Sequence, residues 1–269
     1  LTTIPKNHYH ILKNKDAPSN GGVAKEIDMV EVLEAAQESQ SVYTRATHHA
    51  ELIEFLVAWD EGYKSQMQLI PLFNSSLTGQ WTAEQKIYFA RIFYHSRGHF
   101  RDLLWHLGNF APNKIIKEII LENIAEEFNG NGLSHEEMYL DFALEMGVDL
   151  RQEIIKEEYY TPEMREFNKK HVEWVINHDW KSNFAMFSAY ERQDKTDYEF
   201  LSGLTEPEHM FFRIHRLALH FDKTYEVLQE IWQEDANIVT EAFKFIADTQ
   251  VVMWRQLSDA VFAYGEKTN

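Results

Sequence analysis

Glycine and proline are scarce in this chain, with 11 Gly and 6 Pro among 269 residues. A β-rich or α/β chain of this length carries more turn-formers than that. Between the few breaks, apolar residues recur at spacings of three and four. Leu52, Phe55, Leu56 and Trp59 fall on one helical face, as do Tyr88, Ile92 and Phe93, with Leu103 and Leu104 further on. The expected fold class is all-α, with seven to nine helices and no internal repeat of 20–50 residues. Residues 1–44 are read as an N-terminal arm and helix. The arm is marked by Pro5, Pro18, Gly21 and Gly22, and the helix follows near 26–40. Residues 45–269 are read as one helical bundle domain.

The punctuation predicts the individual helices. One is expected over about 45–71. Thr82 followed by Gln85 has the spacing of a capping box and opens a helix to about 107. A helix over about 113–128 stops at Asn129-Gly130. Ser134 with Glu137 is a second capping box, starting a helix at His135 that runs to about Met146. Pro162 opens the next, which continues through Ile176. Helices are expected over 180–204, with a break near Asp194 to Asp197, over 208–233 after Pro207, and over 235–264.

Composition narrows the function. There are 43 acidic and 26 basic residues, a formal charge of −17. Phosphate backbones and anionic lipid call for clustered Lys and Arg, so nucleic acid and membrane surfaces are poor partners. The chain has no cysteine, which excludes disulfides, zinc knuckles and thiol nucleophiles. No apolar run approaches the roughly 20 residues of a membrane span, and no leader is visible among the polar first residues. A chain starting at Leu1 without Met is expected to have its native start upstream. The acidic balance suits a cytoplasmic protein.

Three segments carry candidate chemistry. In Glu126-Glu127-Phe-Asn-Gly-Asn-Gly-Leu-Ser-His135 a carboxylate ends one helix and an imidazole begins the next. Both groups ligate iron or manganese, although a surface Glu pair and an exposed His would give the same pattern. In Phe187-Ser-Ala-Tyr190-Glu191-Arg192 an inward Phe187/Tyr190/Glu191 face would bury the Glu191 carboxylate. That group would then need a metal, a proton, or an Arg such as Arg192 or Arg213. In the third segment His215 and Asp222 lie seven residues apart, within about 20° of one helical face. His220 faces elsewhere. His95 and His99 form a further i,i+4 pair.

The order of these segments resembles the heme-oxygenase-like superfamily, which includes the TenA and PqqC proteins and iron-containing oxidases. The resemblance covers about residues 50–260. It rests on Phe93-Tyr94-His95 with Phe100, Glu126-Glu127 with His135, Tyr190-Glu191, and Phe211-Phe212 with His215. It implies a seven-helix heme-oxygenase-like bundle, here with the extra N-terminal arm and helix, and a small-molecule site in its core. In the metal-dependent branch a Glu and a His match Glu127 and His135, a bridging Glu matches Glu191, and a His-x-x-x-Asp-x-x-His helix begins at His215. This chain departs at the end of that motif, with Leu219 for the Asp and Asp222 for the second His.

A leucine cannot ligate iron, so the resemblance implies one bound iron, with manganese as the substitute. Glu127, His135, Glu191 and His215 would hold it. Asp222 would orient His215 or weakly hold a second ion, and Tyr190 would be a redox-active or substrate-facing phenol. The implied function is an iron-dependent oxidase or oxygenase that uses dioxygen on a small organic substrate. The alternatives are a metal-free PqqC-like oxidase, with residue types such as His95, His99, Arg101 and Tyr190, and a non-catalytic binding or scaffold protein. Thiaminase chemistry lacks its cysteine, and heme would need His48 or His49. Homodimers are common among the relatives, and Trp232, Trp254 and Tyr264 are candidate interface aromatics.

Overall fold

The computed structural model describes residues 51–266 apart from 129–131, 206–207 and 218–219, and every structural statement below concerns those residues. The arm and helix over 1–44, His48, His49, Asn129-Gly130, Pro207 and Leu219 lie outside them.

Helices α1 (Leu52–Met67), α2 (Ser75–Thr78), α3 (Ala83–His95), α4 (Gly98–Phe110), α5 (Lys114–Glu127) and α6 (His135–Glu145) form the first half. Then come α7 (Arg151–Lys156), α8 (Pro162–Asn177), α9 (Trp180–Leu201), α10 (Met210–Leu217), α11 (His220–Glu234) and α12 (Ala236–Glu266). No strand occurs among the described residues, and no helix is long and apolar enough to cross a membrane.

Both expected capping boxes form. The Thr82 hydroxyl accepts from the Gln85 amide at 3.2 Å while the Gln85 side chain accepts from the Thr82 amide at 3.0 Å. Ser134 and Glu137 do the same at the start of α6. Such reciprocal caps satisfy donors that a helix start otherwise leaves unpaired. Pro162 takes the first position of α8, where its missing N–H costs nothing.

The core is built around α9 and α12. Eight consecutive residues of α9, from Asn183 to Tyr190, are buried, so this stretch of the helix is enclosed all round. Burying each Phe contributes about 1.5–3 kcal/mol. Long-range hydrogen bonds tie other helices to α12. Trp59 donates to the Phe243 carbonyl at 3.1 Å, and the Gln85 side chain donates to the Val261 carbonyl at 3.1 Å.

The structure departs from the sequence reading in its detail: twelve helices are described where seven to nine were expected, the short α2 and α7 among the additions. The helix expected over 82–107 is two helices, broken at Ser96 and Arg97. The Ser96 hydroxyl donates to the Phe93 carbonyl at 2.8 Å and so competes with the backbone ladder. The break expected near Asp194 to Asp197 is absent, and α9 runs through it. The helix expected over 208–233 is described over Met210–Leu217 and His220–Glu234, with 218–219 outside the described residues. Trp232 and Trp254 are buried within the chain, Trp232 stacked on Phe55 and Trp254 packed on Phe93, so they offer no interface.

Candidate functional site

Glu127 is the last residue of α5 and His135 the first of α6. The capping box at Ser134 fixes where α6 begins and so aims His135 back across the connection. His135 Nδ1 lies 2.6 Å from Glu127 Oε1, with only 13 % and 10 % of the two side chains exposed. Burial opposes the Glu127 charge, but the hydrogen bond from His135 and the nearby Arg97 outweigh it and hold this carboxyl below its ordinary range.

His215 joins this pair from α10. Its Nδ1 donates to the Phe211 carbonyl one turn back at 2.7 Å. Its Nε2 lies 3.0 Å from Arg97 Nη2. An arginine only donates, so Nε2 is the accepting nitrogen and the imidazole is neutral with its proton on Nδ1. The His135 and His215 rings are 4.6 Å apart. One ligand atom from each of Glu127, His135 and His215 lies within 4.8 Å of the others, a grouping that can hold a metal ion. Two imidazoles and one carboxylate with open positions are a donor set suited to ferrous iron.

Glu191 and Asp222 are not brought to these three. Both line a charged cleft with Asp60, Lys64, Arg192 and Lys195. His215 is buried whereas Asp222 is exposed. They stand on α10 and α11, on either side of residues 218–219, which lie outside those described. Arg192 pairs with Asp60 at 2.6 Å rather than with Glu191. On α9 the inward stripe is Phe187, Tyr190, Asp194, Asp197 and Leu201, spaced at three and four. Glu191 stands one residue off it.

Asp194 and Arg97 are the polar groups at this centre that the sequence reading missed. Burial pushes the Asp194 carboxyl well above its ordinary value, against the pull of Arg97. Burial also opposes the Arg97 charge, but the facing Tyr198, Glu127 and Asp194 keep the guanidinium protonated. Arg97 Nη1 donates to the Tyr198 hydroxyl, and its guanidinium lies over the Phe211 ring, 4.9 Å from the centroid. The signal for Asp194 was its place four residues beyond Tyr190. The signal for Arg97 was weaker, a lone cation between His95 and His99.

Tyr190 belongs to a buried hydrogen-bond chain. Asn168 donates through Nδ2 to the His95 carbonyl and the Tyr160 hydroxyl, both at 2.7 Å. Its Oδ1 therefore accepts from His99 Nδ1 at 2.6 Å. His99 Nε2 is left to accept from the Tyr190 hydroxyl. Burial lowers the His99 pKa to about 4, so the ring is neutral. His95 takes a different partner, Glu153, at 2.7 Å, so the i,i+4 histidines do not share a ligand.

Two small cavities adjoin Arg97. One, of about 50 Å³, is lined by Tyr190, His99 and Asp194. The other, of about 30 Å³, is lined by Glu127 and His135. An outer cleft of about 410 Å³ reaches His135 and His215 past Met210, Arg213, Ile214 and Leu217.

The helical bundle around this cluster has the heme oxygenase-like fold. Within it, residues 87–218 match the sequence model of a family described as iron-containing redox enzyme. That segment includes Glu127, His135, Glu191 and His215, and stops short of Asp222. Among solved structures, the chain is similar to a CADD-like protein of unknown function from Nostoc punctiforme PCC 73102. The TM-score is 0.58 at 16% identity, over 78% of this chain and 96% of that one. It is also similar to a domain of unknown function with a heme oxygenase-like fold from Shewanella denitrificans OS217. There the TM-score is 0.56 at 15% identity, over 90% of this chain and 95% of that one. No curated protein matches the chain.

Proposed function

We propose that this protein is an iron-dependent oxidase or oxygenase that acts with dioxygen on a small organic substrate. One ion would be held by Glu127, His135 and His215. The observation that carries this reading is the convergence of those three donors within 4.8 Å, two nitrogens and one carboxylate oxygen. The match to an iron-containing redox family supports iron over manganese. When bound, iron supplies the one-electron and dioxygen chemistry that side chains lack.

The chain's own groups orient the donors and shape access. The Phe211 carbonyl fixes the tautomer of His215, leaving Nε2 as its donor atom. The capping box fixes His135. The outer cleft admits a substrate from the side of the two imidazoles, and Tyr190 offers its phenol to the inner cavity. A second ion is not part of this reading, because the cleft of Glu191 and Asp222 has lysines and an arginine and no imidazole in its lining.

The test is anaerobic loading with ferrous iron, counting metal per chain by elemental analysis, then admitting air and following oxidation by absorbance. A ratio near one with oxidation in air is expected. A ratio near two contradicts the single-ion reading, and no retained iron overturns it. A metal-free oxidase is the second reading, favoured by the bond from Arg97 to His215 Nε2. It predicts full activity after exhaustive chelation.

A further inference from the structure

Arg97 enters the centre from the joint between α3 and α4. Its Nη2 is 3.0 Å from His215 Nε2 and 4.0 Å from Glu127 Oε1. Its Nη1 is bonded to Tyr198, and its flat face lies on Phe211. The other nitrogen of His215 is spent on the Phe211 carbonyl. His215 therefore has one lone pair to give, and the guanidinium is using it. The same guanidinium supplies the positive charge that balances Glu127.

We propose that Arg97 is the resident cation of this centre, and that guanidinium and metal occupy His215 in mutually exclusive states. The inference rests on the metal-centre reading above. A divalent ion placed beside an unmoved Arg97 would bury like charges together with a single carboxylate between them. It would also lack the lone pair of His215. Loading the ion therefore requires Arg97 to withdraw.

The structure provides a place for it. Arg97 lines the 50 Å³ cavity as well as the 30 Å³ one, and Asp194 stands on the wall of the larger. A guanidinium turned toward that cavity meets the Asp194 carboxyl and, by its own charge, favours ionisation there against the pull of burial. The pairing of Arg97 with Asp194 would then compensate the charge that metal brings to Glu127, His135 and His215. Metal affinity is thus set by a choice internal to the protein as well as by its ligands.

The experiment titrates cobalt(II) into metal-stripped wild type and Arg97→Met, reading the visible cobalt spectrum for affinity and thermal melting for stability. Methionine keeps much of the stem and removes every donor. Because a hydrogen bond from a charged donor is worth about a tenfold or larger change in an equilibrium, Arg97→Met is expected to bind cobalt about tenfold more tightly or better. Its metal-free form should melt lower than wild type, and cobalt should restore it. Arg97→Lys, which keeps the charge without the planar fork, is the second variant and should fall between. Equal or weaker cobalt binding in the variants overturns the inference and leaves the metal centre standing. No cobalt bound by any form overturns the metal centre and the inference with it.

Discussion

Tyr190 and His99 stand 91 residues apart in sequence and share one buried hydrogen bond, in which the phenol donates to Nε2. The direction is set from the far side, where the Asn168 side-chain oxygen accepts a hydrogen bond from Nδ1–H. A neutral imidazole is thereby held as the acceptor of the phenolic hydrogen bond, beside a cavity that also borders Arg97 and Asp194.

Tyr190→Phe leaves His99 Nε2 as a buried acceptor without a donor. The expected cost is about 1–3 kcal/mol of unfolding free energy, read from a urea or guanidinium denaturation midpoint. Iron retention is expected to be unchanged, because Tyr190 is not among the three donors. A variant as stable as wild type would show that this bond contributes nothing to the fold.

His215→Ala removes one of two nitrogen donors. Metal per chain should drop to background by elemental analysis while far-UV circular dichroism stays that of wild type. Stoichiometric iron in this variant would refute the assigned ligand set.

Ser134→Ala removes one arm of the capping box that starts α6 and aims His135. A loss of about 1 kcal/mol is expected from the cap alone, measured by chemical denaturation. Weaker cobalt binding should accompany it, since His135 is the residue the cap positions. Unaltered metal affinity would mean that His135 is held by Glu127 without help from the cap.

Asp197 gives a pH signature. Its carboxylate oxygens accept from Tyr63 at 2.7 Å and Trp254 at 3.0 Å. Burial outweighs these bonds and raises its pKa from 3.8 to about 7. Between those values the folded protein keeps a proton that the unfolded chain has lost. This group therefore makes stability fall as pH rises from about 4 to about 7. Asp197→Asn imitates the neutral form and should flatten that fall in a series of melting curves. Parallel profiles for the two proteins would place the titration elsewhere.

Much of the bundle was legible because its signals are local. Both capping boxes, the proline at the start of α8 and the three-four spacing of apolar residues each report on one turn of chain. Glu127, His135 and His215 were legible through their order. Asp194 and Arg97 were not. The inward phase of α9 was set one residue off, on Glu191, because a run of eight buried residues has no exposed side from which to read its face. The break that admits Arg97 falls where the Ser96 amide and hydroxyl both bond to the Phe93 carbonyl, and nothing in the apolar pattern marks it. The pairing of His215 with Asp222 failed because it took both to share a buried face, and only His215 is buried.

The joint at Ser96 and Arg97 also ties the length of the chain to the phase of everything after it. Each residue of an α-helix turns the next by about 100°. One residue inserted or deleted there would rotate α4 by that amount, carrying His99, Leu103, Leu104 and Leu107 out of the interior they now fill. The two-residue spacer is thus as constrained as the packed residues on either side of it, and shuffling its length would be a harsher change than exchanging most of its neighbours.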